Sequence, residues 1–405
     1  MDHADLELTP TAMAAGGAAL ARDPDGRVVF VEGALPGERV AARVTEARRD
    51  YARAVAVRIL EPSPDRVEPP CAALAAGCGG CTWQHVAAGA QTRLKAAIVV
   101  DALRRIGRLP EPPEPRVVDL PGPALRTTAR LAVTPLGRAG HRRRGAGGDG
   151  AEQGAVQTGA CLAAHPLLEE LVVAGRYPGA GEVLVRVGVA SRERLVRVRA
   201  GAEDVEVPDD VIVLREGDRR AFVHEEVAGR HFRISADSFF QPGPVAAAGL
   251  VAAVEVDVAG ALGPGSHLVD AYAGTGLFAS VLGAASGARV TAVESGRAAA
   301  WDARVNLRDL DATVVATEVG RWDAARSGRA DVVVADPARS GLGRPGVAAL
   351  AAAGAPRLVL VSCDPASLAR DAVLLAGVGY RLSSVALVDA FPHTFHVETV
   401  ARFDR

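Results

Sequence analysis

The sequence predicts an α/β protein. An open, mostly parallel sheet forms its C-terminal half, preceded by a small OB-type β-barrel and a mixed central domain. Three observations lead there. From Val245 onward, four short apolar runs (His267–Ala271, Arg289–Glu294, Ala330–Ala335 and Arg357–Ser362) are each followed by a helical or loop pattern, the texture of an open parallel sheet. Between Leu8 and Leu60, short runs of partly alternating apolar and polar residues are broken by Gly and Pro turns, which suits a small barrel. Between these regions, Arg126 to Phe232 reads again as strands, including Val183–Val189, Leu195–Val198 and Val211–Leu214. The expected divisions are residues 1–62, 63–240 and 241–405.

Within this frame each segment has a local reason. Val31–Val44 carries a Pro-Gly turn, and Val55, Val57 and Ile59 alternate. Pro62–Pro70 reads as a linker. Leu94, Ala97, Ile98, Ala102, Leu103 and Ile106 fall at helical spacing, predicting a helix over 91–109 that the prolines of 110–115 end. The Gly- and Arg-rich stretch 137–154 is expected to be a mobile loop. No internal repeat is found.

The 405 residues carry 46 Lys and Arg against 48 Asp and Glu, so any surface for a polyanion must be a local patch. Lysine occurs once, at Lys95; the other basic residues are arginine, which makes an Arg count a poor guide to nucleic-acid binding. The N-terminus lacks the charged and apolar regions of a signal peptide. No run approaches the ~18 apolar residues of a membrane span. A cytoplasmic protein with no membrane partner is expected. Five cysteines (Cys71, Cys78, Cys81, Cys161 and Cys363) point to metal or catalysis rather than disulfides.

The cofactor end begins at Leu268–Phe278, a strand entering a glycine turn where Gly274 and Gly276 let the backbone approach a ligand. Alone, a Gly-x-Gly is only a strand–helix turn. Asp270, however, would repel a pyrophosphate and suits the positively charged methionine end of S-adenosylmethionine. Glu294 ends a second strand, where a carboxylate accepts ribose hydroxyls, and Asp336 ends a third. Any one could cap a helix; three at strand ends favour a cofactor site.

Cys363 sits at the tip of the fourth strand. A buried structural thiol is the plain alternative, but its place beside the cofactor argues for a nucleophile whose pKa the site lowers. Glu398 interrupts what reads as a strand on both sides and is the candidate base. His393 and His396 nearby invite a metal, but no third spaced ligand set supports one. One thiol, one base and a sulfonium donor match methylation at C5 of uracil. A thiolate adding at C6 makes C5 nucleophilic, and a base then removes the C5 proton. Cys363 is the only cysteine after Cys161, which disfavours cytosine chemistry.

Val-Ser-Cys363-Asp-Pro, Asp336-Pro-Ala-Arg-Ser-Gly, Phe-Pro-His-Thr-Phe-His-Val-Glu398 and Ser238-Phe-Phe-Gln241 resemble the TrmA/RumA-type RNA (uracil-5-)methyltransferases over nearly the whole chain. The resemblance implies a Rossmann-like class I methyltransferase domain behind an N-terminal TRAM module that binds RNA. It implies Cys363 as nucleophile and Glu398 as base. Gln241, Tyr272, Glu294 and Asp336 would contact S-adenosylmethionine, with Phe239 stacking near a flipped base. It also implies that the helix over 91–109 packs on the C-terminal domain. Cys71-x6-Cys78-Gly-Gly-Cys81 with distant Cys161 is similar to the branch holding a [4Fe–4S] cluster, with zinc the competing ligand. Three departures stand out. The first cysteine spacing is one residue long, no proline follows Cys161, and Phe395 replaces the usual glycine, narrowing the pocket beside Glu398.

The expected partner is therefore structured RNA, ribosomal or transfer, and the protein itself is expected to be a monomer. Arg43, Arg48, Arg49, Arg53, Arg138 and Arg142–Arg144 are candidate phosphate contacts, and the target base must be flipped out of any helix to reach Cys363. Two rival readings are an RNA-binding protein with an inactive methyltransferase domain and a cytosine-C5 methyltransferase. The intact pair Cys363 and Glu398 speaks against the first.

Overall fold

The computed structural model describes residues 5–144, 154–199, 201, 204–218 and 221–405. At the N-terminus, six strands form one sheet in the order Leu6–Leu8, Arg39–Ala47, Tyr51–Glu61, Val28–Glu32, Ala19–Arg22, Ala12–Met13. The two long strands pair antiparallel with three register shifts, and such bulges bend and twist a sheet. Alternation then points Val29, Val31, Val40 and Ala52 into a common core.

The helix predicted over 91–109 spans Ala88–Arg105. It ends before the prolines, with the Ile106 and Gly107 N–H groups both returning to Ala102 O. Its residues serve two cores. Ala90, Leu94 and Ile98 pack with Trp83 and Val86 under the N-terminal sheet. Val99, Ala102 and Leu103 pack with Leu368, Leu375 and Leu387 of the C-terminal region.

The central region holds a second six-stranded sheet, ordered Ala155–Val156, Ala139–Arg142, Thr128–Val133, Glu182–Val187, Arg194–Arg199, Val211–Leu214. Helix Pro166–Val173 covers it through Leu168, Leu171 and Val172. The stretch expected to be a mobile loop thus contributes a strand, because Ala139 and Gly140 pair with Val133 and Ala132. Residues 145–153 of that stretch lie outside the described residues. A hairpin, Phe222–Val227 with Arg230–Ser235, leads toward Gln241.

The C-terminal sheet has eight strands in the order Ala312–Val315, Arg289–Val293, His267–Ala271, Val332–Ala335, Arg357–Ser362, Glu398–Asp404, Arg381–Val388, Arg116–Val118. The first five run parallel, and Glu398–Asp404 enters antiparallel between two neighbours. The four apolar runs of the sequence are four of these strands. Glu398 does not interrupt a strand, as expected; it begins one. Among the described residues no helix is long and apolar enough to cross a membrane.

Candidate active site

The parallel strands deliver their last residues to one edge of the sheet, where ligands of open α/β folds bind. There a cavity of about 950 Å³ is lined by Gln241, Tyr272, Gly274, Glu294, Asp336, Cys363 and Glu398, while Asp270 and Gly276, also named for the cofactor end, are not part of its lining. Gly276 reaches φ 86° at the N-cap of helix Leu277–Ser286, a conformation that glycine adopts without a Cβ clash. Tyr272 takes φ 62° without that freedom, a strain of about 1–3 kcal/mol that surrounding structure must hold. The Gly274 N–H donates to Glu294 Oε2 at 2.8 Å, and Gln241 Nε2 donates to Asp336 Oδ2 at 2.9 Å. Asp270 departs from expectation. It is fully buried below the cavity wall and accepts from the Ala279 N–H at 2.8 Å. Desolvation, with only that one hydrogen bond against it, pushes its carboxyl up to about 8. It shapes the turn rather than facing a ligand.

Register explains how Cys363 and Glu398 meet. The ladder between their strands ends at Ser362 paired with Thr399, so Cys363, just past the end of one strand, and Glu398, at the start of the other, adjoin the same rung and line the same cavity. Burial, the Glu398 charge and the Asp336 charge push the Cys363 thiol up to about 11. This reverses the expectation of a lowered pKa. Burial, then Asp336, raises the fully buried Glu398 carboxyl well above its usual range. The one nearby group opposing both shifts is the Arg339 guanidinium. Arg339 lines the same cavity and hydrogen-bonds His396 Nδ1 at 3.3 Å. The sequence reading quoted Arg339 within its motif but gave it no role.

The loop before Glu398 is held by residues from the first quarter of the chain. Lys95 Nζ donates to Asp389 Oδ1 at 2.7 Å and to Phe391 O at 2.9 Å. Gln91 Oε1 accepts from the His393 N–H at 2.7 Å, and the Thr82 and Trp83 N–H groups donate to His393 O. His393 is thereby turned toward Gln91 at φ 62°, while His396 lines the cavity. The two histidines do not form a shared ligand set. Phe395 corrects a second expectation. It does not line the cavity holding Glu398; it lies against Gly17, where a Cβ would stand 2.5 Å from the ring.

Residues 11–57 match the TRAM domain model, and residues 325–404 match the tRNA (Uracil-5-)-methyltransferase model, a span that contains Asp336, Cys363 and Glu398. An RNA methyltransferase of Streptomyces coelicolor is 38% identical over 98% of this chain and 92% of its own. The 23S rRNA (uracil(1939)-C(5))-methyltransferase RlmD of Methylococcus capsulatus is 34% identical over 94% of this chain and 93% of its own. The chain belongs to the RNA (uracil-5-)methyltransferase family. The tRNA (uracil-54, C5)-methyltransferase of Pyrococcus abyssi, solved with S-adenosyl-L-homocysteine, shares the fold. Its TM-score is 0.73 at 23% identity, covering 98% of this chain and 99% of that one.

Away from the active site of this methyltransferase, Cys71, Cys78, Cys81 and Cys161 line one small cavity of about 20 Å³ together with His141. Burial and then neighbouring thiols push Cys78 and Cys161 up. Among the described residues no three His, Cys, Asp or Glu side chains are arranged to hold a metal ion. The donor set is nonetheless four thiols around one space, and neutral thiols crowded in this way are what a metal centre relieves by replacing their protons. Of the arginines named for RNA, Arg143 and Arg144 instead donate to Ala76 O and Cys81 O at 2.9 and 2.8 Å, bracing the cysteine loop. Arg43, Arg48 and Arg53 on the N-terminal sheet are exposed beside Asp5 and Glu46.

Proposed function

We propose that this methyltransferase transfers a methyl group from S-adenosylmethionine to C5 of a uridine in structured RNA, with Cys363 as nucleophile and Glu398 as base. The observation that carries the reading is that Cys363 and Glu398, which adjoin the Ser362–Thr399 rung, line the same cavity as Glu294 and Asp336. Gln241, Tyr272, Gly274, Glu294 and Asp336 would hold the donor. When bound, S-adenosylmethionine supplies an electrophilic methyl and a sulfonium positive charge.

The Cys363 thiolate adds to C6 of the uracil, and the C5–C6 π pair moves onto the C4 oxygen. C5 of the enolate then attacks the donor's methyl carbon, whose bond to sulfur breaks and leaves S-adenosylhomocysteine. Glu398 removes the C5 proton, the C5–C6 double bond re-forms and the C6–sulfur bond breaks, returning the thiolate. Burial disfavours the charged forms of both groups. Arg339, and any cation brought into the cavity, shifts both toward the ionised state. Chemistry is thus coupled to filling the site. The exposed ring of Phe239 at the cavity mouth suits stacking on the extruded base.

Relatives that act on 23S rRNA align over most of the chain, so ribosomal RNA is the first substrate to test and transfer RNA the second. Cys363→Ala should bind S-adenosylmethionine and transfer no methyl; turnover in that variant would end the covalent reading. Mapping 5-methyluridine in RNA from a deletion strain identifies the target. Cys71, Cys78, Cys81 and Cys161, which line one cavity, are read as ligands of a [4Fe–4S] cluster from their likeness to the cluster-bearing branch, with zinc the competing ligand. Brown, anaerobically prepared protein with about four irons per chain is expected, and colourless zinc protein would reverse this assignment.

A further inference from the structure

Cys363 borders two cavities. Besides the main one, a second of about 220 Å³ is walled by Ala15 and Gly16 of the N-terminal sheet region, Ile98 and Pro365, with Phe395 and His396. The two spaces share Cys363, Arg339 and His396. We propose that this second cavity is a subsite for the nucleotide adjoining the target uridine in the same RNA strand, its base stacking on Phe395 and His396 and its phosphate meeting Arg339. The inference rests on the covalent reading above.

Three features point to this occupant. The target base reaches Cys363 while still linked through phosphates to its neighbours, so a space that opens at the same sulfur lies on the strand's path. The rings of Phe395 and His396 stand 4.4 Å apart at 50°, and desolvation holds His396 neutral, down at about 4. Tilted against each other, they offer uncharged ring faces, of the kind single-stranded bases stack on, rather than one plane. Beside it Arg339 presents an exposed guanidinium, the group suited to a phosphate. The facing wall is backbone and small side chains. Gly16 has open space where a Cβ would be, and Gly17, at φ 87°, gives up its side-chain volume to Phe395. The aromatic that departs from the family's glycine is thus placed by a module of the RNA-binding type.

The test uses full-length protein, S-adenosylmethionine and an RNA stem–loop carrying the mapped uridine as 5-fluorouridine. Fluorine cannot leave C5 as a cation, so the C6–sulfur bond persists and the adduct is counted on denaturing gels. Three versions are compared at subsaturating RNA: intact, abasic immediately 5′ of the target, and abasic immediately 3′. Wild type should trap one abasic version about tenfold more slowly than the intact one. Phe395→Leu keeps apolar volume against Gly17 but no flat ring. It should slow the intact RNA comparably and lose the discrimination; Phe395→Ala should do the same if folded by circular dichroism. Equal trapping of all three versions by wild type would overturn the subsite and leave the covalent reading standing. Full discrimination by Phe395→Leu would overturn the stacking role. No adduct on any version would overturn the covalent reading, and the subsite with it.

Discussion

Lys95, the chain's only lysine, has no exposed surface and places its ammonium 2.7 Å from Asp389 Oδ1. Desolvation lowers its pKa, and Asp389 opposes that shift. One helical turn earlier, Gln91 holds the His393 N–H. Two residues on one helix face therefore fasten the loop that delivers His396 to the cavity and starts the strand of Glu398. The same helix is packed into both the N-terminal and C-terminal cores, so the loop's position depends on how those cores are joined.

Lys95→Met should destabilise the protein by about 3 kcal/mol, because it strands a partly buried carboxylate. Methyl transfer should fall further than the folded fraction predicts. Adding Asp389→Leu should recover much of the stability but not the activity, since Phe391 O and the loop remain unheld. Urea denaturation alongside single-turnover assays separates the two effects.

Glu398→Gln should still form the Cys363–RNA bond but release it slowly, giving a protein–RNA band that survives denaturing electrophoresis. Glutamine cannot take the C5 proton, so elimination stalls. Rapid product release by this variant would remove Glu398 from the base role.

Arg339→Gln should move the pH dependence of Cys363 alkylation by iodoacetamide to higher pH. The guanidinium favours the thiolate, so its loss raises a pKa that burial has already pushed to about 11. In the opposite direction, S-adenosylmethionine should speed alkylation at a fixed pH wherever the reagent still reaches the sulfur. Protection by the donor at all pH values would show occlusion instead.

Asp270 makes stability depend on pH. Its carboxyl ionises near ~3.9 in the unfolded chain but only at about 8 when folded. Between those values the unfolded state has lost the proton and the folded state keeps it. Stability should therefore fall as pH rises from about 4 to about 8 and level off above, by at most about 6 kcal/mol. Asp336, raised to about 7, adds a slope of the same sign. Asp270→Asn should keep the acceptor for Ala279 N–H and flatten the dependence, as thermal melts across this range would show.

That these candidate residues share one edge of the sheet was legible in the sequence because the ends of parallel strands are marked locally. A short apolar run stops at Glu294, Asp336 or Cys363, and the fold brings all such ends to one edge. Four strands, the helix that carries Lys95 and the likeness of its motifs to a family followed from patterns a few residues long. Other features depend on contacts between residues from about 290 to about 380 positions apart, which no local pattern records. These include the grip of Gln91 and Lys95 on the 389–393 loop and the seating of Phe395 on Gly17. The parting of His393 from His396 depends on that grip. The directions of the pKa shifts were likewise decided by packing. Burial, which sequence does not state, outweighs Arg339 at Cys363 and pushes its thiol up to about 11.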